Sequence, residues 1–151
     1  MTEQSGRSLI EIIGVLAIGA IMISATYSIY HSTNAKQKRL IASATLQDIA
    51  QKTKTLLEYT GYTDVSVNYL IESGAIDNDK QPLGGNDWSI TSNFDGSEFS
   101  INLTELSFDE CAYFTTKKLD WATKIIVNGY DSSDSSYCMK SGDNRVSFFA
   151  Q

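Results

Sequence analysis

The longest apolar stretch of the chain lies close to the N-terminus. From Leu9 to Ile23 every residue is apolar or small except Glu11. An α-helix rises about 1.5 Å per residue, so a run of about 20 such residues crosses the hydrocarbon core of a bilayer. The pattern therefore predicts a transmembrane helix. Since an ionisable side chain inside such a helix costs about 2 kcal/mol or more, Glu11 is the first candidate functional residue.

The helical pattern continues beyond this apolar run. The segment Tyr30–Glu58 contains neither Pro nor Gly, and its apolar face repeats every three or four residues. The residues of that face are Leu46, Ile49, Thr53 and Leu56. Such spacing is typical of a helix that packs on a domain with one side. We predict one long helix from about Ser8 to Glu58, with its first half in lipid and its second half covering a head domain.

Turn and loop residues divide the rest of the chain into short elements. Residues 60–63 end the long helix, and the segment Val65–Ile76 predicts a short helix that stops at Gly74. Residues 77–87 combine Gly, Pro, Asn and Asp and predict a loop.

The sequence pattern of the second half of the head predicts strands and one further helix. Four segments read as strands: 88–91, 98–103, 123–127 and 145–149. The first two are joined by Asn93–Ser97, which indicates a hairpin. Ser107 followed by Glu110 is a typical N-cap pair, so we expect a helix from there to about Lys118. Residues 131–136 predict an exposed loop. The predicted class is α+β, with a long helix on a small antiparallel sheet.

Charge is concentrated in the head. Residues 59–151 contain 14 acidic and 6 basic residues, a net charge of -8, against -6 for the whole chain of 151 residues. A surface of this sign repels phosphate backbones. We therefore expect no direct nucleic-acid binding by this domain.

The chain has two cysteines, Cys111 and Cys138, both in its last third. One pair in a domain that follows a membrane segment indicates an oxidising compartment and a disulfide. The bridge would close a loop of roughly 26 residues, worth about 3 kcal/mol in the chain-entropy model. The alternative is a pair of unrelated buried thiols.

No pattern typical of an enzyme is present. His31 is the only histidine, which excludes a histidine-based triad and a site of several histidines. Asp77-Asn78-Asp79 lacks the glycine and the closing glutamate of a calcium loop, and Asp131 with Asp134 reads as a solvated loop rather than a weak Ca²⁺ site. We expect no catalytic activity, no metal and no cofactor.

The start of the chain resembles a known signature. Gly6-Arg7-Ser8-Leu9-Ile10-Glu11 followed by an apolar run is similar to the N-terminus of type IV pilins and type II secretion pseudopilins. In that family a leader ends in Gly, and the Glu follows five residues after the cleavage point. Two departures are Arg7, where an apolar residue is usual, and Ser28, near where many pilins carry a helix-kinking Pro. The order of elements in the head resembles type IVb pilins more loosely.

The resemblance implies a processed, polymerising subunit. A prepilin peptidase would cut between Gly6 and Arg7, and the new N-terminus at Arg7 would be methylated. Glu11 would pair with the N-terminal amine of a neighbouring subunit in a filament core. Gly14 and Gly19 fit close helix packing there, and equally fit a local softening of the helix. The implied partners are further copies of the chain, minor pilins, an inner-membrane assembly platform with its ATPase, and the lipid bilayer.

The sequence thus predicts a leader at residues 1–6, a transmembrane or filament-core segment at 7–30, a second helical half at 31–58 and a head at 59–151.

The basic residues beside the span bear on the orientation of the head. Lys36, Lys38 and Arg39 follow the span and only Arg7 precedes it. The positive-inside rule alone therefore places the head in the cytoplasm. The cysteine pair and the pilin signature place it outside, and we adopt that orientation. The alternatives are a type II secretion pseudopilin and an anchored periplasmic binding domain that does not polymerise.

Overall fold

The computed structural model describes residues 9–80, 82–83, 88–131 and 134–151. Gly6 and Arg7, the predicted cleavage and methylation positions, lie outside the described residues, as does the Gly84-Gly85 pair. The chain divides into two units, residues 1–38 and residues 39–151.

The long helix predicted from the sequence is confirmed. Helix α1 is Leu9–Leu57, 49 residues in length. It ends where the amides of Thr60 and Gly61 donate to the carbonyl of Leu57, at 3.2 and 2.9 Å. Gly61 has a φ of 77°, a left-handed conformation that glycine adopts without steric cost.

Within the second unit, α1 contributes one face to the core. The fully or nearly fully buried residues of this face are Ala42, Leu46, Ile49, Ala50, Thr53 and Leu57. The buried Thr53 hydroxyl donates to the Ile49 carbonyl at 2.8 Å, so it costs no unsatisfied hydrogen bond. The predicted stripe is wrong at Leu56, which is 41% exposed. At about 100° per residue Leu56 falls at the margin of the face, whereas Leu57 falls inside it.

The head has one antiparallel sheet of five strands. These are β1 (Trp88–Ser92), β2 (Phe99–Leu106), β3 (Lys124–Val127), β4 (Tyr130–Asp131) and β5 (Asn144–Ala150). Their order across the sheet is β1-β2-β5-β3-β4. The predicted hairpin is confirmed, because β1 and β2 pair from Trp88 opposite Leu103 to Ser92 opposite Phe99. The two later strands are confirmed within one residue at each end, whereas the short β4 was not predicted.

The sheet has a core face and an outer face. The core face carries Phe99, Ile101, Leu103, Val146, Phe148 and Ala150, all buried. Alternate residues of β2, β3 and β5 occupy the outer face, where Ile126 and Asn102 lie opposite Ser147 in the two pairings.

Two short helices flank the sheet. Helix α2 (Val67–Glu72) starts at an N-cap, Ser66, and is shorter than the predicted segment. Helix α3 (Phe108–Thr116) has the predicted capping box: the Ser107 hydroxyl accepts from the Glu110 amide, and the Glu110 carboxylate accepts from the Ser107 amide. Helix α3 ends at Thr116, two residues before its predicted end at Lys118. Residues Ser135–Tyr137, which overlap the end of the predicted loop at 131–136, form a turn of 3-10 helix. The α+β class is confirmed.

Candidate functional site

The N-terminal part of α1, residues 11–30, has apolar side chains on every face, and these side chains are not packed against the rest of the described chain. Relative exposures are 57% for Ile13, 70% for Val15 and 71% for Ile23, and the other large side chains of this part are similarly exposed. By length and composition α1 is the one described helix that could cross a membrane. Burying each such side chain is worth about 1.5–3 kcal/mol, so this surface needs lipid or another chain around it.

Two hydroxyl groups in this part of the helix are satisfied internally. Ser24 donates to the Ile21 carbonyl at 2.9 Å, and Thr26 donates to the Met22 carbonyl at the same distance. A hydroxyl that bonds to its own helix can enter an apolar medium without needing water. Between residues 11 and 30, Glu11 is the one charged side chain.

Glu11 lies in the first turn of α1 and is exposed. A carboxylate there is favoured by the helix dipole, by about 0.3–1 kcal/mol. Among the described residues, no cation forms an ion pair with it. Its neighbours one turn along the helix are Gly14 and Val15, which offer no hydrogen bond from a side chain. The site as described is thus an acid in an apolar surface, without an ion-pair partner among the described residues.

The helix leaves open space beside both of its glycines. A Cβ atom built on Gly14 or on Gly19 would meet no atom within 4 Å. Nothing in the described part of the chain requires glycine at these positions. Small residues on an exposed apolar helix allow another helix to approach closely, and α1 continues through both residues.

In the head, Cys111 and Cys138 are joined as a disulfide, with their Cα atoms 5.9 Å apart. Cys111 lies in the first turn of α3, as the sequence predicts. No free cysteine is found. The bridge ties the loop that follows β4 to the helix that follows β2.

The buried side chain of Asn144 stabilises the loop that follows β4 through hydrogen bonds. Its Oδ1 accepts from the Met139 amide at 2.6 Å and from Asn128 Nδ2 at 2.9 Å. Its Nδ2 donates to the carbonyls of Leu106 and Met139, both at 3.0 Å. All four hydrogen-bonding positions of the amide are therefore used, as burial requires.

Next to this network an open groove of about 860 Å³ runs along the outer face of the sheet. Tyr130 and Tyr137 stack on each other at its side, with ring centroids 4.7 Å apart and planes 20° from parallel. They are 59% and 40% exposed. Met139 and Arg145 line the groove as well. The sequence reasoning missed it, although Asn128-Gly129 is a strong two-residue hairpin signal that predicts β4 and brings Tyr130 back against the sheet.

Backbone strain is concentrated at the same groove. Among the described residues, the non-glycine residues with positive φ are Glu105, Asn128 and Asp143, at 57°, 50° and 57°. All three line the groove. Such a conformation costs Glu105 of order 1–3 kcal/mol, whereas Asn and Asp adopt it more readily, as the Asn128-Gly129 turn shows. Glu105 lies where the pairing of β2 with β5 shifts register, so this part of the groove is shaped by a bulge.

The carboxylates suspected of weak Ca²⁺ binding already have protein partners. Asp131 pairs with Lys124 at 2.9 Å. Asp134 accepts from the Ser136 amide at 2.9 Å, and that hydrogen bond lowers the pKa of its carboxyl. No group of three or more potential metal ligands occurs within the described ranges. No protein-family model matches this chain, and no curated protein matches it either.

Proposed function

We propose that this chain is a structural subunit of a type IV pilus. It is made as a precursor in the bacterial inner membrane, cleaved after Gly6 by a prepilin peptidase, and polymerised through α1. The observation that carries the proposal is Glu11: an acid without a described partner, in the first turn of a helix whose apolar side chains are exposed on every face.

The energetics of Glu11 explain why a second copy is needed. In lipid, apolar helices gain no hydrophobic energy from associating, so packing of small residues and polar contacts must drive assembly. Cleavage would create an α-amino group at Arg7, and in the filament the amine of one subunit meets Glu11 of its neighbour. A buried ion pair adds little net stability, but losing one partner costs about 3–5 kcal/mol. The pair therefore fixes the register between subunits.

The head fits the outside of such a filament. Its net charge of -8 favours solubility and repels the heads of other subunits before the helices associate. Its disulfide belongs to an oxidising compartment, the periplasm and then the cell exterior. The machinery would be that of type IV pili: an assembly platform with a cytoplasmic ATPase, and minor pilins at the fibre end.

A type II secretion pseudopilin has the same N-terminal requirements and is the nearest alternative. The other alternative is an anchored periplasmic domain that never polymerises. In that case the Glu11 side chain would extend to the membrane surface, where water would hydrate its carboxylate. Only the two alternatives in which the chain polymerises, pilin and pseudopilin, need both a free amine at Arg7 and open space beside Gly14 and Gly19.

The experiment that tests the proposal is the purification of surface fibres from the native cell. We expect the fibres to dissolve into this chain, and we expect N-terminal sequencing to start at Arg7, with or without the mass of one methyl group. Short fibres confined to the periplasm would support the pseudopilin. A chain that retains residues 1–6 and stays monomeric in the membrane while the machinery is active would contradict the proposal.

A further inference from the structure

The turn between β3 and β4 contains Asn128-Gly129, the single Asn-Gly pair of the chain. Val127 pairs with Tyr130 across it, so these two residues form a two-residue hairpin loop. Their φ angles are 50° and 87°, and a type I′ turn requires positive values at both positions. Asn-Gly and Asp-Gly are both favoured in such a turn. Turn geometry therefore accepts Asp at position 128 as well as Asn.

The hydrogen bonds of residue 128, in contrast, require Asn. Its Nδ2 donates to the Tyr137 carbonyl at 2.7 Å and to Asn144 Oδ1 at 2.9 Å, and its Oδ1 accepts from the Arg145 amide at 2.8 Å. A carboxylate has no N–H group to donate, so an Asp at this position would face two acceptor oxygens. A reversed Asn144 amide would not help, because both of its ends also bond to the backbone of Met139.

An Asn-Gly pair is chemically labile, since glycine has no side chain to hinder attack on the residue before it. The Gly129 amide nitrogen attacks Cγ of Asn128, and its proton leaves with the side-chain NH2 group as ammonia. The product is a five-membered succinimide. Water then opens the succinimide at one of its two carbonyl groups and gives either aspartate or isoaspartate, in which the backbone is one atom longer.

The fold opposes this reaction by holding the Asn128 carboxamide. Three hydrogen bonds direct its two ends towards Tyr137, Asn144 and Arg145, whereas the attack needs Cγ to turn towards the Gly129 nitrogen. Gly129 is exposed, and a Cβ atom built on it would meet no atom within 4 Å, so packing around it adds little protection. Deamidation therefore requires a local opening in which these hydrogen bonds break.

We propose that Asn128-Gly129 is a deamidation site that the folded head keeps closed and that opens when the hydrogen bonds around Asn144 are released. The disulfide contributes to the closed state, because Cys138 directly follows Tyr137 and is joined to α3. Aspartate or isoaspartate at position 128 lacks the donor that these hydrogen bonds need, so the reaction records an opening permanently. It needs a single chain and water, and it is independent of polymerisation.

The test is peptide mass spectrometry of the purified full chain in detergent, incubated with its disulfide intact at mildly alkaline pH. In guanidinium chloride, the peptide that contains residues 128–129 should gain the mass added when OH replaces NH2, with aspartate and isoaspartate both present. Without denaturant the conversion should be slower by about a hundredfold, because three hydrogen bonds, each worth about a factor of five, must break first. Equal rates with and without denaturant would overturn the proposal.

A substitution at Asn144 locates the protection. Asn144→Ala removes one acceptor of the Asn128 amide and should raise the deamidation rate of the folded chain by about tenfold. Asn102→Ala is the matched control and should leave the rate unchanged, since the Asn102 amide bonds to Ser89 and Thr91 of β1. A folded Asn144→Ala chain that deamidates as slowly as the unaltered chain would contradict the role of this network.

A second pair of variants needs no Asn144 substitution. Asn128→Asp reproduces one reaction product and keeps a residue that the turn accepts, so its effect reports the lost hydrogen bonds. It should lower the midpoint of unfolding in guanidinium chloride clearly more than Asn102→Asp, which makes the same chemical change on β2. Equal midpoints for the two variants would show that the donor at position 128 is dispensable, and would overturn the proposal.

Discussion

Asn128 Nδ2 lies 2.9 Å from Oδ1 of Asn144, and this hydrogen bond joins the β3–β4 turn to the first residue of β5. Asn128 also donates to the Tyr137 carbonyl at 2.7 Å, and its own Oδ1 accepts from the Arg145 amide at 2.8 Å. Two amide side chains therefore position the groove, and the tyrosine pair depends on them rather than on apolar burial.

Asn144→Ala should lower the free energy of unfolding by about 3 kcal/mol, because it leaves several buried polar partners unsatisfied. Urea denaturation of the full chain in detergent, followed by near-ultraviolet circular dichroism, measures this. Asn102→Ala is the matched control: its amide makes only hydrogen bonds of 3.2–3.5 Å in a half-exposed position, so we expect a loss below about 1 kcal/mol. Equal losses in the two variants would refute the role given to Asn144.

Removing the disulfide with the double substitution Cys111→Ser and Cys138→Ser should cost about 3 kcal/mol, since the denatured loop between them regains its freedom. The same denaturation assay applies. Combined with Asn144→Ala, the loss should be less than additive, because both changes release the loop after β4. Strict additivity would show that the bridge and the amide network hold different parts of the head.

Acid should weaken the turn that joins β1 and β2 through Asp95. Hydrogen bonds from the Ser97 hydroxyl and amide, at 2.7 and 3.0 Å, lower the pKa of this carboxyl below its usual 3.8. A lowered pKa in the folded state means that the stabilisation is present above the unfolded pKa and is lost as pH falls through the folded value. The difference in unfolding free energy between the unaltered chain and Asp95→Asn should therefore shrink as pH falls from above 3.8 to strongly acidic. A difference that is constant with pH would contradict this assignment.

Much of the fold follows from local signals. The length of α1 follows from the absence of Pro and of breaking turns, and the start of α3 follows from Ser107 and Glu110, which satisfy each other's end of the helix. The hairpin follows from period-two alternation around residues 93–97. These features depend on neighbours in sequence, so the sequence alone specifies them.

The groove depends on residues that are distant in sequence. Tyr130 and Tyr137 stack on each other, Asn144 and the disulfide hold Met139 and Cys138 just after Tyr137, and neither tyrosine shows a periodicity of its own. The error at Leu56 has a different cause: at about 100° per residue this side chain falls at the margin of the buried face, whereas Leu57 falls inside it. The pairing of Glu11 stays a prediction, because the partner proposed for it belongs to a second chain.

The most direct test of the account is the replacement of Glu11 in the native cell. Glu11→Gln keeps the shape of the side chain and removes its charge, and Ser24→Ala serves as a control that alters only a hydroxyl bonded within the helix. We expect Glu11→Gln to accumulate in the membrane at the normal level, cleaved after Gly6, and to yield surface fibre reduced by about tenfold or more, whereas Ser24→Ala assembles normally. Fibres of Glu11→Gln at the level of the unaltered chain would contradict the central claim that this carboxylate joins one subunit to the next.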